Sequence, residues 1–291
     1  MGGLLALVLV GALVVAAALV GGGVVSSFRP VSRERVDRFV DRTGVAVTAS
    51  NAAFVVDSLA RTMRWRTAAV VVAVGVCVAW NVVRATAQFT LAMGVLLAFA
   101  FLLGCVAGEV RNAYRRGDGP RAASLVPRRE ADFIGGWARV WPTGWLIAAV
   151  VLGALYVALG RGSVVEAVLA VGVVAVSWGL GRWATRTIVE RQRPSSSDPD
   201  VLAADDGLRS RALHGVAGAV LLAASWSTIA IGVSAVLPPA YRLDNSIAAV
   251  LVWLAMALLA RWAWVRATAP FSVVGPPADA YGAPAPAAEG P

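Results

Sequence analysis

Long apolar runs separated by arginine-rich segments are the dominant pattern of this chain. Each of seven runs is close to the roughly 20 residues that a helix needs to cross a hydrocarbon core of about 30 Å. They cover Leu4–Val25, Thr67–Val83, Ala87–Ala107, Thr143–Gly160, Ser163–Leu180, His214–Leu237 and Ser246–Ala260. Only helices and closed barrels satisfy every backbone polar group in lipid, and the period-two alternation of barrel strands is missing from the sequence. The pattern therefore predicts an all-α, polytopic transmembrane helix bundle.

The composition agrees with a membrane protein. Hydrophobic residues make up 58% of the chain and charged residues 15%, with a mean hydropathy of +0.72. A soluble domain carries about 25% charged residues, so the deficit is large. No basic residue precedes the first apolar run, which favours a retained first span over a cleaved signal peptide.

The distribution of arginine predicts the orientation. All 26 basic residues are arginines; 23 lie in segments 26–66, 108–142 and 181–213 or after the last run, and only three lie in the alternate connections. Positive residues collect on the cytoplasmic side, so the N-terminus is expected outside and the C-terminus inside. Residues 1–266 form the predicted transmembrane domain. Residues 267–291, rich in proline and alanine, are expected to be a disordered tail.

The predicted cytoplasmic segments carry signals of amphipathic juxtamembrane helices. Ser32 is placed to cap a helix over 33–42 that Gly44 ends, and Thr48 or Ser50 could cap a second helix leading into Arg64-Trp65-Arg66. In the next segment Pro127 suits a helix start and Gly135-Gly136 a helix break.

Polar groups within the apolar runs are few. No carboxylate or histidine is expected at mid-depth, which argues against ion-coupled transport. The hydroxyls of Ser177, Ser225, Ser227 and Thr228 are expected to return hydrogen bonds to their own helices. A stripe of small residues ending in Gly104-x-x-x-Gly108 favours close helix packing over a ligand site. Cys77 and Cys105 are expected at different depths, too far apart for a disulfide.

The segment from Asp198 to Asp206 is the most distinctive polar cluster. Its four carboxylates could bind a divalent cation, but capping by Asp198 and pairing of Asp205 with Arg209 explain them better. His214, the only histidine, has no partner for a zinc site or a catalytic triad. We assign no catalytic, cofactor-binding or metal-binding residue. The candidates for cytoplasmic interactions are Arg128, Arg129, Asp205, Asp206 and Arg209.

Four short strings resemble patterns in uncharacterised multi-pass integral membrane proteins of high-GC actinobacteria. They are Arg61-Thr-Met-Arg-Trp-Arg66, Gly108-Glu-Val-Arg111, Ala123-Ser-Leu-Val-Pro-Arg128 and Asp205-Asp-Gly-Leu-Arg209. The resemblance covers roughly residues 55–215. It implies a shared fold to which these positions contribute, and it implies no activity or cofactor.

Three functions are compatible with these patterns. The first is a non-enzymatic component of the plasma membrane whose basic cytoplasmic loops bind anionic lipid headgroups, a protein partner or a second copy of the chain, and no nucleic acid. The second is a small-molecule permease, which a repeat of three similar hairpins would support. The third is a membrane enzyme acting at the cytoplasmic interface.

Overall fold

The structure is a computed structural model that describes residues 30–84, 91–114, 130, 133–191, 196, 198–236 and 258. Within these residues it contains six helices and no strand: α1 Arg33–Thr43, α2 Ala52–Val83, α3 Leu91–Tyr114, α4 Gly136–Ala158, α5 Val164–Glu190 and α6 Pro199–Val236. Helices α2 to α6 are long and apolar enough to cross a membrane. The all-helical class is confirmed for the described residues, and these five candidate membrane-spanning helices occur where the five middle spans were predicted.

The remaining predictions about spans fall elsewhere in the chain. The first apolar run and the tail lie outside the described residues. Arg128 and Arg129 also lie outside them, as does the start of the helix expected from Pro127. Of the last apolar run, only Leu258 is described. Seven spans therefore stay a prediction.

Three helices extend well beyond their apolar runs on the side rich in arginine. Helix α2 begins at Ala52, α5 continues to Glu190 and α6 begins at Pro199. The separate helix expected ahead of Arg64-Trp65-Arg66 is thus the first part of α2, since no glycine or proline interrupts residues 52–74. Its N-cap position is held by Asn51 and not by Thr48 or Ser50.

Helices α6 and α3 occupy the centre of the bundle. Helix α6 packs against α3, α4 and α5, and α2 packs mainly on α3. Consecutive long helices run antiparallel. As a result α1, the starts of α2, α4 and α6, and the ends of α3 and α5 gather at one end, which we call the basic end.

Helix α1 is a separate short element at the basic end. Ser32 stands at its N-cap with extended backbone but makes no side-chain cap hydrogen bond, and Gly44 ends it with φ of 67°. The αL conformation suits glycine, as expected. Buried Phe39 holds α1 against α2 and α6, where it packs with Val55, Leu59, Ala204 and Leu208.

Candidate functional site: an arginine-lined cavity at the basic end

The crossing of α2 and α3 brings two backbones into unusually close contact. A Cβ at Gly104 would lie 2.8 Å from the Cα atom of Arg66, and one at Gly108 would lie 3.1 Å from the Cα atom of Thr62. A side chain at Gly104 would force the backbones apart, and one at Gly108 would fit only if α2 shifted slightly. The packing role predicted for these glycines is confirmed, and it sets the polar residues of the two helices side by side.

Those polar residues form a buried network between α2 and α3. The Thr62 hydroxyl donates to Oε1 of Glu109 at 3.1 Å, and the Asn112 amide donates to the Thr62 hydroxyl at 3.0 Å. Nη1 of Arg61 donates to the side-chain Oδ1 of Asn112 at 3.0 Å. Glu109 is only 3% exposed, and its carboxylate lies 3.5 Å from the Arg66 guanidinium. The network turns Arg66 inwards and gives it one acidic neighbour.

A cavity of about 250 Å³ opens where α1, α2 and α6 meet. Five of its lining residues are arginines and the other four are apolar: Arg35, Arg38, Arg42, Arg66, Arg211, Val31, Phe39, Leu59 and Met63. No carboxylate lines it among the described residues. Two consecutive helices, α1 and α2, and the distant helix α6 thus direct cationic groups at one space.

Three arginines of α1 reach the cavity from one side of this helix. Arg35, Arg38 and Arg42 follow a three- and four-residue spacing, which places them on one face. The acidic residues Glu34 and Asp37 each precede an arginine by one position, about 100° round the helix. Asp41 continues that exposed acidic face. Arg35, Arg38 and Arg42 therefore line the cavity, Arg38 and Arg42 at its exposed side, whereas the three carboxylates of α1 are exposed and do not line it.

Only part of this positive charge is neutralised within the described chain. Arg38 pairs with Glu34 at 3.2 Å, in an exposed pair, and Arg66 pairs with Glu109. Arg35 contacts the Met63 sulfur, a weak acceptor. The Nε atom of Arg66 is buried with no hydrogen-bond partner among the described residues.

Arg42 and Arg211 form no salt bridge within the described residues. Arg211 lies close enough to Arg66 and Arg42 to be repelled by both, and close enough to Glu109 to be attracted. Two unit charges 4 Å apart interact by about 4 kcal/mol at an effective dielectric of about 20. An anion in the cavity would offset part of this repulsion.

The candidates Asp205 and Arg209 lie in a second network, next to the cavity but inside the bundle. Asp205 accepts from Nη2 of Arg191 at 2.7 Å and from Nε of Arg209 at 2.9 Å. Nη1 of Arg209 donates to the carbonyl oxygens of Ile188, Val189 and Arg191 at 3.3, 3.1 and 2.8 Å. Arg209 thereby satisfies carbonyl groups at the end of α5 that have no partner within their own helix.

The predicted pairing of Asp205 with Arg209 is confirmed, but neither side chain is on the surface. Asp205 and Arg209 are 0% exposed and Asp206 is 8% exposed. Side chains buried to this degree stabilise the basic end from within. Their interaction role, like that of Arg128 and Arg129 beyond the described residues, stays a prediction.

The other acidic residues of this segment begin α6. Asp198 accepts a hydrogen bond from the backbone N–H of Asp200 at 2.9 Å, with Pro199 as the first helical residue. Capping is therefore the confirmed role of Asp198. Among the described residues no three His, Cys, Asp or Glu side chains are grouped so that they could hold a metal ion. His214 Nδ1 lies 2.8 Å from the carbonyl oxygen of Ser210, one turn earlier in α6.

A second cavity, of about 340 Å³, lies at the opposite end of the bundle between α3, α4, α5 and α6. Its hydroxyl groups are already engaged: Ser227 donates to Ala223 O at 2.8 Å and Ser234 to Ala230 O at 2.9 Å. The Tyr156 hydroxyl donates to Glu166 at 3.1 Å. Glu166 also completes the capping box of α5 with Ser163. These polar groups serve the helices themselves, as predicted for Ser227.

Comparisons with known proteins leave the site to be interpreted on its own chemistry. No protein-family model, no curated protein and no solved structure matches the chain. The resemblance to actinobacterial membrane proteins stays a prediction.

Proposed function

We propose that this protein is a non-enzymatic component of the plasma membrane that binds anionic lipid headgroups at its basic end. In this proposal the chain crosses the membrane seven times, with its N-terminus outside and its basic end in the cytoplasm. One observation carries the proposal: five arginines from three helices line one cavity whose lining contains no carboxylate among the described residues.

The position of two arginines supports a lipid as the ligand. Arg66 directly precedes the apolar run that begins at Thr67, and Arg211 lies shortly before the run that begins at His214. In a membrane-spanning chain the ends of such runs lie at the level of the headgroups. The cavity also has an apolar part, formed by residues such as Leu59 and Met63, which suits the region next to the acyl chains.

The positive charge of the basic end supports its binding to an anionic membrane surface. Each arginine near an anionic bilayer contributes about 1 kcal/mol of attraction. Guanidinium groups also bind phosphate oxygens through two parallel N–H bonds, which a diffuse surface attraction alone does not provide. A cavity that adds such bonds to the surface attraction would hold a headgroup in a defined place.

Binding of short-chain lipids to the purified full chain in detergent tests the proposal. We expect dioctanoyl phosphatidylglycerol to bind and dioctanoyl phosphatidylcholine to bind far more weakly. The double variant Arg42→Gln/Arg211→Gln should lose most of the binding to phosphatidylglycerol. Its matched control, Arg33→Gln/Arg186→Gln, removes two exposed arginines of the basic end that do not line the cavity. Equal binding of the two lipids would exclude the proposal.

A small-molecule permease is the second candidate, supported by the cavity at the opposite end of the bundle. That cavity is mostly apolar, and its serine and tyrosine donors are used within the protein. It offers few groups for recognising a polar substrate, so we rank transport second. Uptake of a solute into proteoliposomes, abolished by filling the cavity with Ala170→Phe, would favour transport over the first candidate.

A further inference from the structure

Resting on the proposed function, we infer that the arginine-lined cavity selects a terminal phosphate, that is, a phosphomonoester headgroup, over the phosphodiester of ordinary anionic phospholipids. A lipid and a soluble compound could both supply such a ligand, because both can carry a phosphate group with three terminal oxygens. We assign it to a lipid such as phosphatidic acid, and soluble phosphates are the alternative source.

The number of lining arginines without a carboxylate partner favours a ligand with two negative charges. Of the five lining arginines, Arg38 and Arg66 have carboxylate partners, whereas Arg35, Arg42 and Arg211 have none within the described residues. A phosphodiester supplies one negative charge. A phosphomonoester supplies between one and two at neutral pH, because its second pKa is about 6. The phosphomonoester therefore neutralises more of the positive charge of the lining arginines than a phosphodiester does.

The geometry of approach favours three terminal oxygens. The lining arginines come from α1, α2 and α6, so guanidinium groups reach the cavity from three directions. A phosphomonoester presents three oxygens that can each accept hydrogen bonds from a different side. A phosphodiester presents two, and its second ester substituent would occupy one of the three directions.

The size of the cavity is compatible with this group. The cavity has a volume of about 250 Å³, whereas one water occupies about 30 Å³ in the liquid. A phosphate group is only a few times larger than a water, so the cavity is large enough to hold it. Behind Arg66, Gly215 leaves room for the guanidinium, because a Cβ at this glycine would lie 2.7 Å from Arg66 Nη2.

Affinities of the purified full chain for three short-chain lipids test the inference: dioctanoyl phosphatidic acid, dioctanoyl phosphatidylglycerol and tetraoctanoyl cardiolipin. Cardiolipin separates total charge from monoester chemistry, since both its phosphates are diesters. We expect phosphatidic acid to bind about tenfold more tightly than either, the effect of roughly one additional charge-assisted hydrogen bond. Arg42→Gln/Arg211→Gln should abolish this preference, and Arg33→Gln/Arg186→Gln should retain it.

The outcomes distinguish this inference from the proposed function. Equal affinity for phosphatidic acid and phosphatidylglycerol in the unmodified protein overturns the monoester assignment while leaving anionic lipid binding in place. Binding of none of the three overturns both. Displacement of phosphatidic acid by an equal concentration of inorganic phosphate overturns the lipid source. The comparison of lipids uses the unmodified chain, so it does not depend on how any variant folds.

Discussion

Asp205 and Arg209 stand one helical turn apart on α6, and the Arg209 Nε donates to the Asp205 carboxylate at 2.9 Å with both side chains fully buried. The same carboxylate accepts from Arg191, beyond the end of α5. One aspartate thus balances two buried guanidinium groups and ties α5 to α6. These ion pairs hold the end of α5 against α6 beside the cavity.

Removing the charge of this aspartate should strongly destabilise the protein. Asp205→Asn leaves Arg191 and Arg209 without their shared counter-charge, and breaking a buried ion pair in this way costs about 3–5 kcal/mol. Thermal unfolding can be followed with a thiol-reactive dye, because the free cysteines Cys77 and Cys105 are both buried.

The control for Asp205→Asn is Glu34→Gln. It removes the carboxylate of the exposed Arg38–Glu34 pair, in which the two side chains are 55% and 79% exposed. Exposed pairs contribute at most about 1 kcal/mol, so the midpoint should barely move. A loss for Asp205→Asn no larger than for this control would show that the buried network does not stabilise the fold.

The close approach of α2 and α3 leads to a second prediction about stability. Gly104→Ala should cost about 1–3 kcal/mol, since its Cβ would lie 2.8 Å from backbone atoms of α2 and the helices would have to separate. Gly75→Ala is the matched control, because nothing lies within 4 Å of a Cβ there. Alanine is the better helix former by about 1 kcal/mol, so the control should be neutral or stabilising. The same dye assay measures both, and equal effects would contradict the packing.

Much of the bundle could be predicted from the sequence. The apolar runs predicted α2 to α6 because burial in lipid requires about 20 apolar residues and this demand is local to each helix. The caps at Gly44 and Asp198 were also predictable, since they depend on neighbouring residues. A helix ahead of Arg64-Trp65-Arg66 was predicted, but its continuity with the apolar run in a single α2 from Ala52 was not, because charged residues end an apolar run without ending a helix.

The candidate site was less accessible to sequence reasoning. The arginine stripe of α1 can be read from its spacing, but its meeting with Arg66 and Arg211 depends on tertiary packing. The burial of Arg209 had a signal that was overlooked. Arg209 falls on the face of α6 that continues through Leu213 and Val216, both buried.

Orientation in the membrane can be tested with thiol labelling of intact cells. We expect a membrane-impermeant maleimide to label Leu159→Cys, at the end of the bundle opposite the basic end, and not Arg33→Cys. Both positions are exposed, and the native cysteines are buried. Permeabilised cells should show labelling of both variants. Labelling of Arg33→Cys alone in intact cells would reverse the proposed topology.

The most direct test of the central claim, an arginine-lined cavity that binds anionic headgroups, is the unfolding temperature of the full chain with and without dioctanoyl phosphatidylglycerol. A ligand at 100 times its Kd stabilises the folded state by about 2.7 kcal/mol. We expect the lipid to raise the unfolding midpoint of the unmodified protein and of Arg33→Gln/Arg186→Gln, and to leave Arg42→Gln/Arg211→Gln unchanged. An equal rise in all three proteins, or no rise in the unmodified protein, would contradict the claim.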